Sequence, residues 1–306
     1  MGKNYLLGVS LCLIAVLSWG AMFPIMGPAL KIMDPFNFTL FRYGIVAVIF
    51  AIILFLKEGP RAFLPEKHFL KLWFLGTSAF AGFSFLVFLG QKLAGSSGAL
   101  IASVMMAVQP LLGVIVGWIY RGTKPGKFVF MSMLVAAVGV FLVVTKGDPA
   151  NLLGGQNTLL ATILILLGAL CWVIYTTGGA DFKEWSILRY STLTTIYGVI
   201  SVSLILTLAI SLDWLEAPTV IQVQEVSGAL VYMITLAGVL AVFAWNLGNR
   251  LIGALNGILF MNLVPVTAFV ITILRGYQIT SYEVVGCLLT ISALVANNLY
   301  NRYKLK

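Results

Sequence analysis

The chain has 306 residues, of which 60% are hydrophobic and 9% are charged, and its formal net charge is +9. A soluble globular domain has roughly 25% charged residues, so this composition excludes a soluble domain and indicates a protein embedded in a lipid bilayer. The basic residues are scattered at the ends of apolar segments and form no dense patch, which excludes a nucleic-acid-binding protein.

Ten apolar segments follow one another along the chain, separated by short stretches with charged residues, glycine or proline. A transmembrane helix needs roughly 20 apolar residues, and the segments are close to that length. We predict transmembrane helices, numbered one to ten, at residues 5–26, 35–56, 70–91, 98–120, 127–145, 158–178, 187–211, 227–248, 256–274 and 282–300. The predicted fold class is therefore an all-α integral membrane protein.

The distribution of basic residues predicts the orientation of the chain. If the N-terminus is cytoplasmic, 14 of the 19 lysines and arginines fall on the cytoplasmic side, including Lys57, Arg61 and Lys67 in one loop. Cytoplasmic loops carry such an excess. We predict a multi-pass protein of the cell (inner or plasma) membrane with both termini in the cytoplasm.

Short patterns in the first half of the chain recur in the second half. The matched residues are Trp19 with Trp172 at a separation of 153, Arg42 with Arg189 at 147, Lys92 with Arg250 at 158, Pro110 with Pro265, and Arg121 with Arg275. These matches predict two repeats, 1–150 with helices one to five and 151–306 with helices six to ten. Five is an odd number, so the second repeat must be inverted relative to the first, a common plan for secondary transporters.

These features together resemble the drug/metabolite transporter superfamily and, within it, the ten-helix, two-repeat EamA-type exporters. The resemblance covers essentially the whole chain. Family members often carry a Gly-Glu pair after the fourth helix of each repeat, whereas this chain has Arg121-Gly122 and Arg275-Gly276, which indicates a divergent subgroup. The resemblance implies efflux or exchange of small metabolites, often amino acids or drug-like compounds, by alternating access.

Several uncharged polar residues lie within the predicted helices. They are Ser84, Gln109, Asn246 and Asn262. An amide exposed to lipid is unfavourable, so each must face other helices or a wet cavity. Two interpretations stay open for these residues: hydrogen bonds between helices, or contacts to a substrate.

Aromatic residues and prolines give further candidates. Trp19, Trp172 and Trp245 lie well inside their helices, away from the membrane interface that Trp prefers, and with Tyr175 they either line an apolar cavity or pack in the bundle. Pro110 and Pro265 each remove a backbone hydrogen bond and free the carbonyls of Met106 and Met261. We expect a kink at each proline and treat both as candidate gates. The predicted cavity lies between helices one, three, four, six, eight and nine.

The charged residues suggest which substrates the protein prefers. No acidic residue lies mid-helix, whereas Arg42, followed by Tyr43, lies roughly seven residues into helix two. We expect its guanidinium to reach the lipid headgroups or an anionic partner. With Arg189 near the opposite face, this pattern favours substrates that bear a carboxylate, such as neutral amino acids. The alternative is an exporter of cationic or aromatic drug-like compounds. We also expect Glu283 to pair with Arg275.

Other classes of protein fit less well. An enzyme would need a nucleophile with a base, or metal ligands, inside the membrane, and the one histidine, His68, lies in a charged loop. We therefore expect no catalytic residue, metal or cofactor. A passive channel remains an alternative. The expected partners are a small-molecule substrate and the bilayer, with no nucleic acid, and the protein is expected to be a monomer or weak homodimer.

Overall fold

The computed structural model describes residues 3–122, 124, 126–150, 157–253 and 257–304, which are helical with no strand. We number the helices α1 to α10. Their bounds are Lys3–Ala29 for α1, Pro35–Glu58 for α2, Phe69–Gly76, Thr77–Gly82 and Phe83–Leu93 for the continuous α3, Gly98–Ala107 and Gln109–Arg121 for the two parts of α4, Lys127–Thr145 for α5, Thr158–Gly178 for α6, Ile187–Ser211 for α7, Ser227–Ile252 for α8, Phe260–Leu274 for α9 and Ser281–Lys304 for α10.

The helix boundaries follow local sequence signals. The carboxylate of Asp34 accepts hydrogen bonds from the backbone N–H groups of Phe36 and Asn37 at 2.9 Å, which caps the start of α2. Gly59, with a φ of 77°, ends the same helix. The side chain of Ser186 caps α7 in the same way, through the backbone N–H of Arg189.

The described helices are those of a multi-pass membrane protein. Seven of them are long and apolar enough to cross a membrane, or eight if the two parts of α4 form one span. Two shorter apolar helices, Phe260–Leu274 and Ser281–Ala293, occupy the regions of predicted helices nine and ten. The all-α class is therefore confirmed, whereas the number of ten spans stays a prediction. The predicted start of helix nine, residue 256, lies outside the described residues.

Two helices contain a π-helical segment at matching positions. Thr77–Gly82 in α3 and Thr235–Leu240 in α8 are separated by 158 residues, the separation found between Lys92 and Arg250 in the sequence. The backbone N–H that follows each segment donates to a carbonyl five residues earlier, from Phe83 to Ser78 and from Ala241 to Leu236. The carbonyls four residues earlier, which an α-helix would use, are thereby passed over.

Glycines allow these two helices to approach their neighbours closely. A Cβ atom on Gly248 of α8 would lie 2.6 Å from Cys12 Sγ on α1, and a Cβ on Gly90 of α3 would lie 2.6 Å from Ile165 on α6. Gly90 and Gly248 are also 158 residues apart. Helix α1 thus packs on α8 as α6 packs on α3, with a small residue at each crossing.

We expect Gly248→Leu to destabilise the protein, because a larger side chain would force α1 and α8 apart. Overpacking of this kind typically costs about 1–3 kcal/mol, which a lower melting temperature in detergent would report. Gly44→Ala on α2 is the matched control, since its added Cβ would have no atom within 4 Å. Equal melting temperatures for the two variants would contradict this packing.

Candidate functional site

A cavity with about 310 Å³ of empty volume lies inside the bundle. Its walls come from α1, α2, α3, α4, α6 and the region of α9, and they consist of Trp19, Met22, Phe23, Arg42, Tyr43, Phe83, Met106, Gln109, Trp172, Met261 and Val264. The space that the centre of a water-sized molecule can reach is about 20 Å³, room for about one water, so the cavity is narrow in this state and would have to widen to admit an organic ligand. Five of the residues predicted from sequence line this cavity: Trp19, Arg42, Tyr43, Gln109 and Trp172.

Three indole rings meet at one side of the cavity. The ring of Trp19 lies edge-to-face against Trp172 at a centroid distance of 5.2 Å and against Trp245 at 5.3 Å. Trp19 Nε1 donates a hydrogen bond to the Ala237 carbonyl at 3.0 Å, and Trp245 Nε1 donates to Thr176 Oγ1 at 3.4 Å. Trp172 Nε1 is buried without a hydrogen-bond partner in the described part of the chain.

Arg42 is a buried cation in the wall of the cavity. Its side chain has 1% of its surface exposed, and its Nη2 donates to the Ala237 carbonyl at 3.3 Å. The guanidinium carbon lies 4.3 Å from the ring centre of Tyr43 and 5.9 Å from that of Phe88. Its Nε has no partner, and it forms no ion pair with any described acidic residue.

Of the two expectations for the Arg42 side chain, contact with the lipid headgroups was wrong, whereas an anionic partner stays a prediction. The guanidinium reaches neither the lipid headgroups nor a described acidic residue, because residue 42 lies on the face of α2 that the rest of the bundle covers. Aromatic faces, the Met22 sulfur at 3.7 Å and one carbonyl dipole replace the counter-charge. A buried cation that is compensated only in this way retains a strong preference for an anion.

Other polar atoms near the centre of the bundle also lack partners. Gln109 Nε2 contacts the Met106 sulfur at 3.1 Å, and Ser84 Oγ interacts with the Tyr43 hydroxyl. Gln109 Oε1 and Asn262 Oδ1 are buried and unpaired among the described residues. Buried polar groups are usually hydrogen-bonded, so these atoms have unused capacity for a ligand or water. Of the three residues, Gln109 lines the cavity, whereas Ser84 and Asn262 lie outside its lining.

Three further predicted residues form contacts between helices. Asn246 Nδ2 donates to Tyr175 Oη and to Ser191 Oγ, each at 2.9 Å, and the Tyr175 ring stacks on Tyr190 at 5.5 Å. Tyr175, Trp245 and Asn246 lie outside the lining of the cavity. Of the two interpretations of Asn246, its contacts favour a hydrogen-bonded link between α6, α7 and α8.

Pro110 lies at a sharp bend. The two parts of α4 meet at an angle of 45°, and Val108 N–H donates to the Met105 carbonyl, three residues earlier. The predicted kink is therefore present at Pro110. Pro265 follows a 3₁₀ segment, Ile258–Asn262. The bend at Pro110 sets the path of the chain beside the cavity. A kink at Pro265 and the role of the two prolines as gates stay predictions.

Sequence reasoning missed several residues in the cavity wall. Met22, Phe23, Phe83 and Val264 are apolar residues in apolar helices, so nothing in their identity separates a cavity wall from a lipid-facing surface. Helical periodicity offered one usable signal, because Met22 and Phe23 follow Trp19 by three and four residues and so share its face.

A second, larger cavity opens at one end of the bundle, and we call it the vestibule. The space in it that the centre of a water-sized molecule can reach is about 660 Å³. It is lined by Pro24, Gly27, Pro28, Leu30, Lys31, Gln91, Lys92, Gly95, Ser96, Ala99, Thr272, Arg275, Gly276 and Tyr277. Arg275 Nη1 donates to the Pro24 carbonyl at 2.7 Å. That carbonyl is available because Pro28, four residues later, has no N–H to donate to it. Gln91 Nε2 donates to the Phe23 carbonyl at 2.7 Å. Since Phe23 lines the inner cavity and Gln91 lines the vestibule, this hydrogen bond lies between the two cavities.

At the opposite end of the bundle, side chains of α3, α7 and α8 contact the segments 59–68 and 179–186 and hold this end shut. We call it the closed end. Lys71 pairs with Asp181 at 2.5 Å, and Arg189 pairs with Glu66 at 2.7 Å. Arg250 donates to the carbonyls of Trp185 at 2.5 Å and Phe182 at 3.1 Å. The Arg189 guanidinium also lies 3.8 Å from the ring centre of Trp185.

Of two further expectations about charge, the pairing of Glu283 with Arg275 was wrong. Arg189 lies at the closed end, where its guanidinium binds Glu66 and the carbonyls of Ala62 and Leu64. Glu283 does not pair with Arg275 and instead accepts hydrogen bonds from Tyr277 Oη and Thr280, with Lys146 Nζ at 4.0 Å.

We expect Asn246→Leu to lower the melting temperature of the purified protein by a few degrees. The change removes two hydrogen bonds between helices, each worth about 0.6 kcal/mol and at most about 1.7 kcal/mol inside a membrane protein. Thr162→Val on α6 is the control, because its hydroxyl bonds only to the preceding turn of its own helix. An unchanged melting temperature with altered ligand binding would instead indicate that Asn246 contacts the substrate.

Comparisons with known proteins agree with this architecture. The chain matches the EamA-like transporter family over residues 6–145 and again over residues 159–299. It is 38% identical over 296 residues to the uncharacterized transporter YrdR of Bacillus subtilis (strain 168), with 97% of this chain and 92% of the relative covered. The uncharacterized transporter YyaM of the same organism is 30% identical over 282 residues, covering 89% and 87% of the two chains.

One solved structure, described only as the crystal structure of a protein, is similar over 99% of both chains, with a TM-score of 0.67. At 18% sequence identity this similarity shows the fold alone. The family and the named relatives are described as transporters. The chain therefore belongs to the EamA-like transporter family.

Proposed function

We propose that this protein is a secondary transporter for small organic molecules that bear a carboxylate, such as neutral amino acids. It acts by alternating access between two inverted five-helix repeats, residues 1–150 and 151–306, as a monomer or weak homodimer. Export is the favoured direction. Residues 151–156 and 254–256 of the second repeat lie outside the described residues. The observation that carries the proposal is the buried Arg42 in the cavity wall, which has no acidic partner among the described residues.

The charge of Arg42 discriminates between substrates of opposite sign. A carboxylate in the cavity would supply the counter-charge that the helices lack, and a guanidinium can hold it through two parallel hydrogen bonds. A cationic group about 4 Å from the guanidinium would be repelled by roughly 4 kcal/mol at an effective dielectric constant of about 20. Electrostatics therefore favours an anionic or zwitterionic substrate over a quaternary ammonium compound.

The remaining walls suit the apolar part of such a substrate. Met22, Met106 and Met261 bring three flexible thioether side chains to the cavity. Methionine adapts to irregular shapes, so these walls would accept side chains of different forms. The reachable space of about 20 Å³ in this state means that the walls must move apart when a small organic molecule binds, which flexible methionines allow.

The difference between the two ends of the bundle supports alternating access. Arg250 is held by two carbonyls at the closed end, whereas its sequence match, Lys92, lines the open vestibule. Inverted repeats are expected to exchange such environments as one repeat rocks against the other. The matched π-helical segments of α3 and α8 also support two repeats.

Two alternatives make different predictions. The cluster of Trp19, Trp172 and Trp245 would also suit an aromatic or cationic drug-like compound. A passive channel would need only a continuous path. Saturable uptake into liposomes that is stimulated by substrate on the opposite side would distinguish a transporter from a channel.

Purified protein should be stabilised against heat by neutral L-amino acids more than by their decarboxylated amines or methyl esters, because only the acids carry the carboxylate that Arg42 attracts. The same ranking is expected in competition for uptake into proteoliposomes. Arg42→Gln should abolish the ranking, whereas Lys124→Gln, an exposed cation remote from the cavity, should preserve it. Equal or better stabilisation by the amines would reject the carboxylate preference and favour the cationic alternative.

The vestibule is proposed to face the outside of the cell, with both termini in the cytoplasm. In a variant whose three cysteines are replaced by alanine, Ser96→Cys in the vestibule should react with a membrane-impermeant maleimide in intact cells. Lys67→Cys in the segment 59–68 should react only after the cells are opened. Reaction of Lys67→Cys in intact cells would reverse the proposed orientation.

A further inference from the structure

The two π-helical segments present equivalent carbonyls to the two halves of the bundle. In α8 the backbone N–H of Ala241 bypasses the Ala237 carbonyl, and in α3 that of Phe83 bypasses the Ala79 carbonyl. Ala79 and Ala237 are 158 residues apart, as are the π-helical segments themselves. Each half thus places a carbonyl with an altered hydrogen-bond pattern inside the bundle.

The two carbonyls are not used alike. Trp19 Nε1 and Arg42 Nη2 both donate to Ala237, whereas Trp172, the sequence match of Trp19, has a buried Nε1 with no partner among the described residues. Trp172 is 3% exposed and packs against Phe83, the residue that directly follows the π-helical segment of α3. Both indoles line the cavity.

We propose that Trp19 and Trp172 exchange roles during transport: one indole N–H is held by the carbonyl of Ala237 or Ala79, while the other points its N–H at the substrate. With the vestibule open, Trp19 is held and Trp172 is the free donor. With the other end open, Ala79 holds Trp172 and Trp19 becomes the free donor. This inference rests on the proposed alternating access and adds two residues that couple binding to the change of state.

The exchange keeps the number of hydrogen bonds the same in both states. An unpaired buried donor typically costs about 1–3 kcal/mol, so a state with both indoles free would be disfavoured. With one indole always held, the two states stay close in free energy, which a transporter needs in order to visit both. The free N–H next to Arg42 would be satisfied by an oxygen of the substrate carboxylate.

The experiment follows which end of the bundle is open in the absence of substrate. Two single-cysteine reporters are placed in the cysteine-free protein, Ser96→Cys in the vestibule and Ala180→Cys at the closed end. The probe is a membrane-impermeant maleimide applied to purified protein in nanodiscs, where both faces are accessible. The measured quantity is the ratio of the two labelling rates.

Trp19→Phe should lower the ratio of vestibule to closed-end labelling, and Trp172→Phe should raise it, each by about five-fold, the factor expected for one ordinary hydrogen bond. Trp245→Phe is the matched control, because its indole belongs to the same cluster but donates to Thr176 and not to a π-helical segment. The control should leave the ratio within about two-fold of the parent.

Shifts of the ratio in the same direction for positions 19 and 172, or no shift for either, would overturn the proposal. Should a phenylalanine variant fail to fold, 3-benzothienyl-L-alanine at the same position removes the N–H and nearly preserves the shape of the indole. The labelling needs no substrate, so it is separate from the test of substrate charge. If the labelling ratio shifts in opposite directions for the two variants but the protein prefers amines, the exchange of the two indoles is supported and the proposed carboxylate preference is rejected.

Discussion

The carbonyl of Ala237 is the acceptor around which the centre of this protein is organised. It receives the indole N–H of Trp19 from α1 and the guanidinium of Arg42 from α2. Burying either donor without an acceptor would be unfavourable, because lipid offers none. One backbone oxygen therefore connects three helices and fixes two side chains of the cavity wall.

This acceptor exists because α8 departs from regular α-helical hydrogen bonding. In a regular helix the N–H of Ala241 would occupy the Ala237 carbonyl, whereas the π-helical turn directs that N–H to Leu236 and Gly238. π-helical turns are rare and occur frequently at functional sites. The equivalent turn in α3 lies beside the cavity as well, through Phe83. The two π-helical turns thus lie in the part of the bundle where a ligand would bind.

The sequence predicted the features that depend on hydrophobicity and backbone chemistry. Apolar segments of the right length predicted helices at nearly the observed bounds, and Pro110 predicted a bend because proline lacks an N–H. Trp19 and Trp172 were grouped as candidates because both lie well inside their helices, and their rings are in contact.

The hydrogen-bond and ion-pair partners of individual side chains were harder to predict from the sequence. Arg42 was expected to find an acid or lipid headgroups, since a charge in a bilayer is unfavourable, yet aromatic rings and a carbonyl surround it. Glu283 was paired with Arg275 on proximity along the chain, but capping interactions at the start of α10 compete for its carboxylate. The π-helical turns carry no proline or other local marker, so the Ala237 carbonyl could not be foreseen.

The arginines at the closed end donate hydrogen bonds to main-chain carbonyls, and this affects which substitutions its loops can accept. Arg250 binds the carbonyls of Phe182 and Trp185, and Arg189 binds those of Ala62 and Leu64. A carbonyl is present whatever side chain its residue carries. Substitutions in these connecting segments therefore keep the contacts, provided that the backbone path and the two arginines are retained. The closed end can also stay closed when any one side chain of its loops is lost.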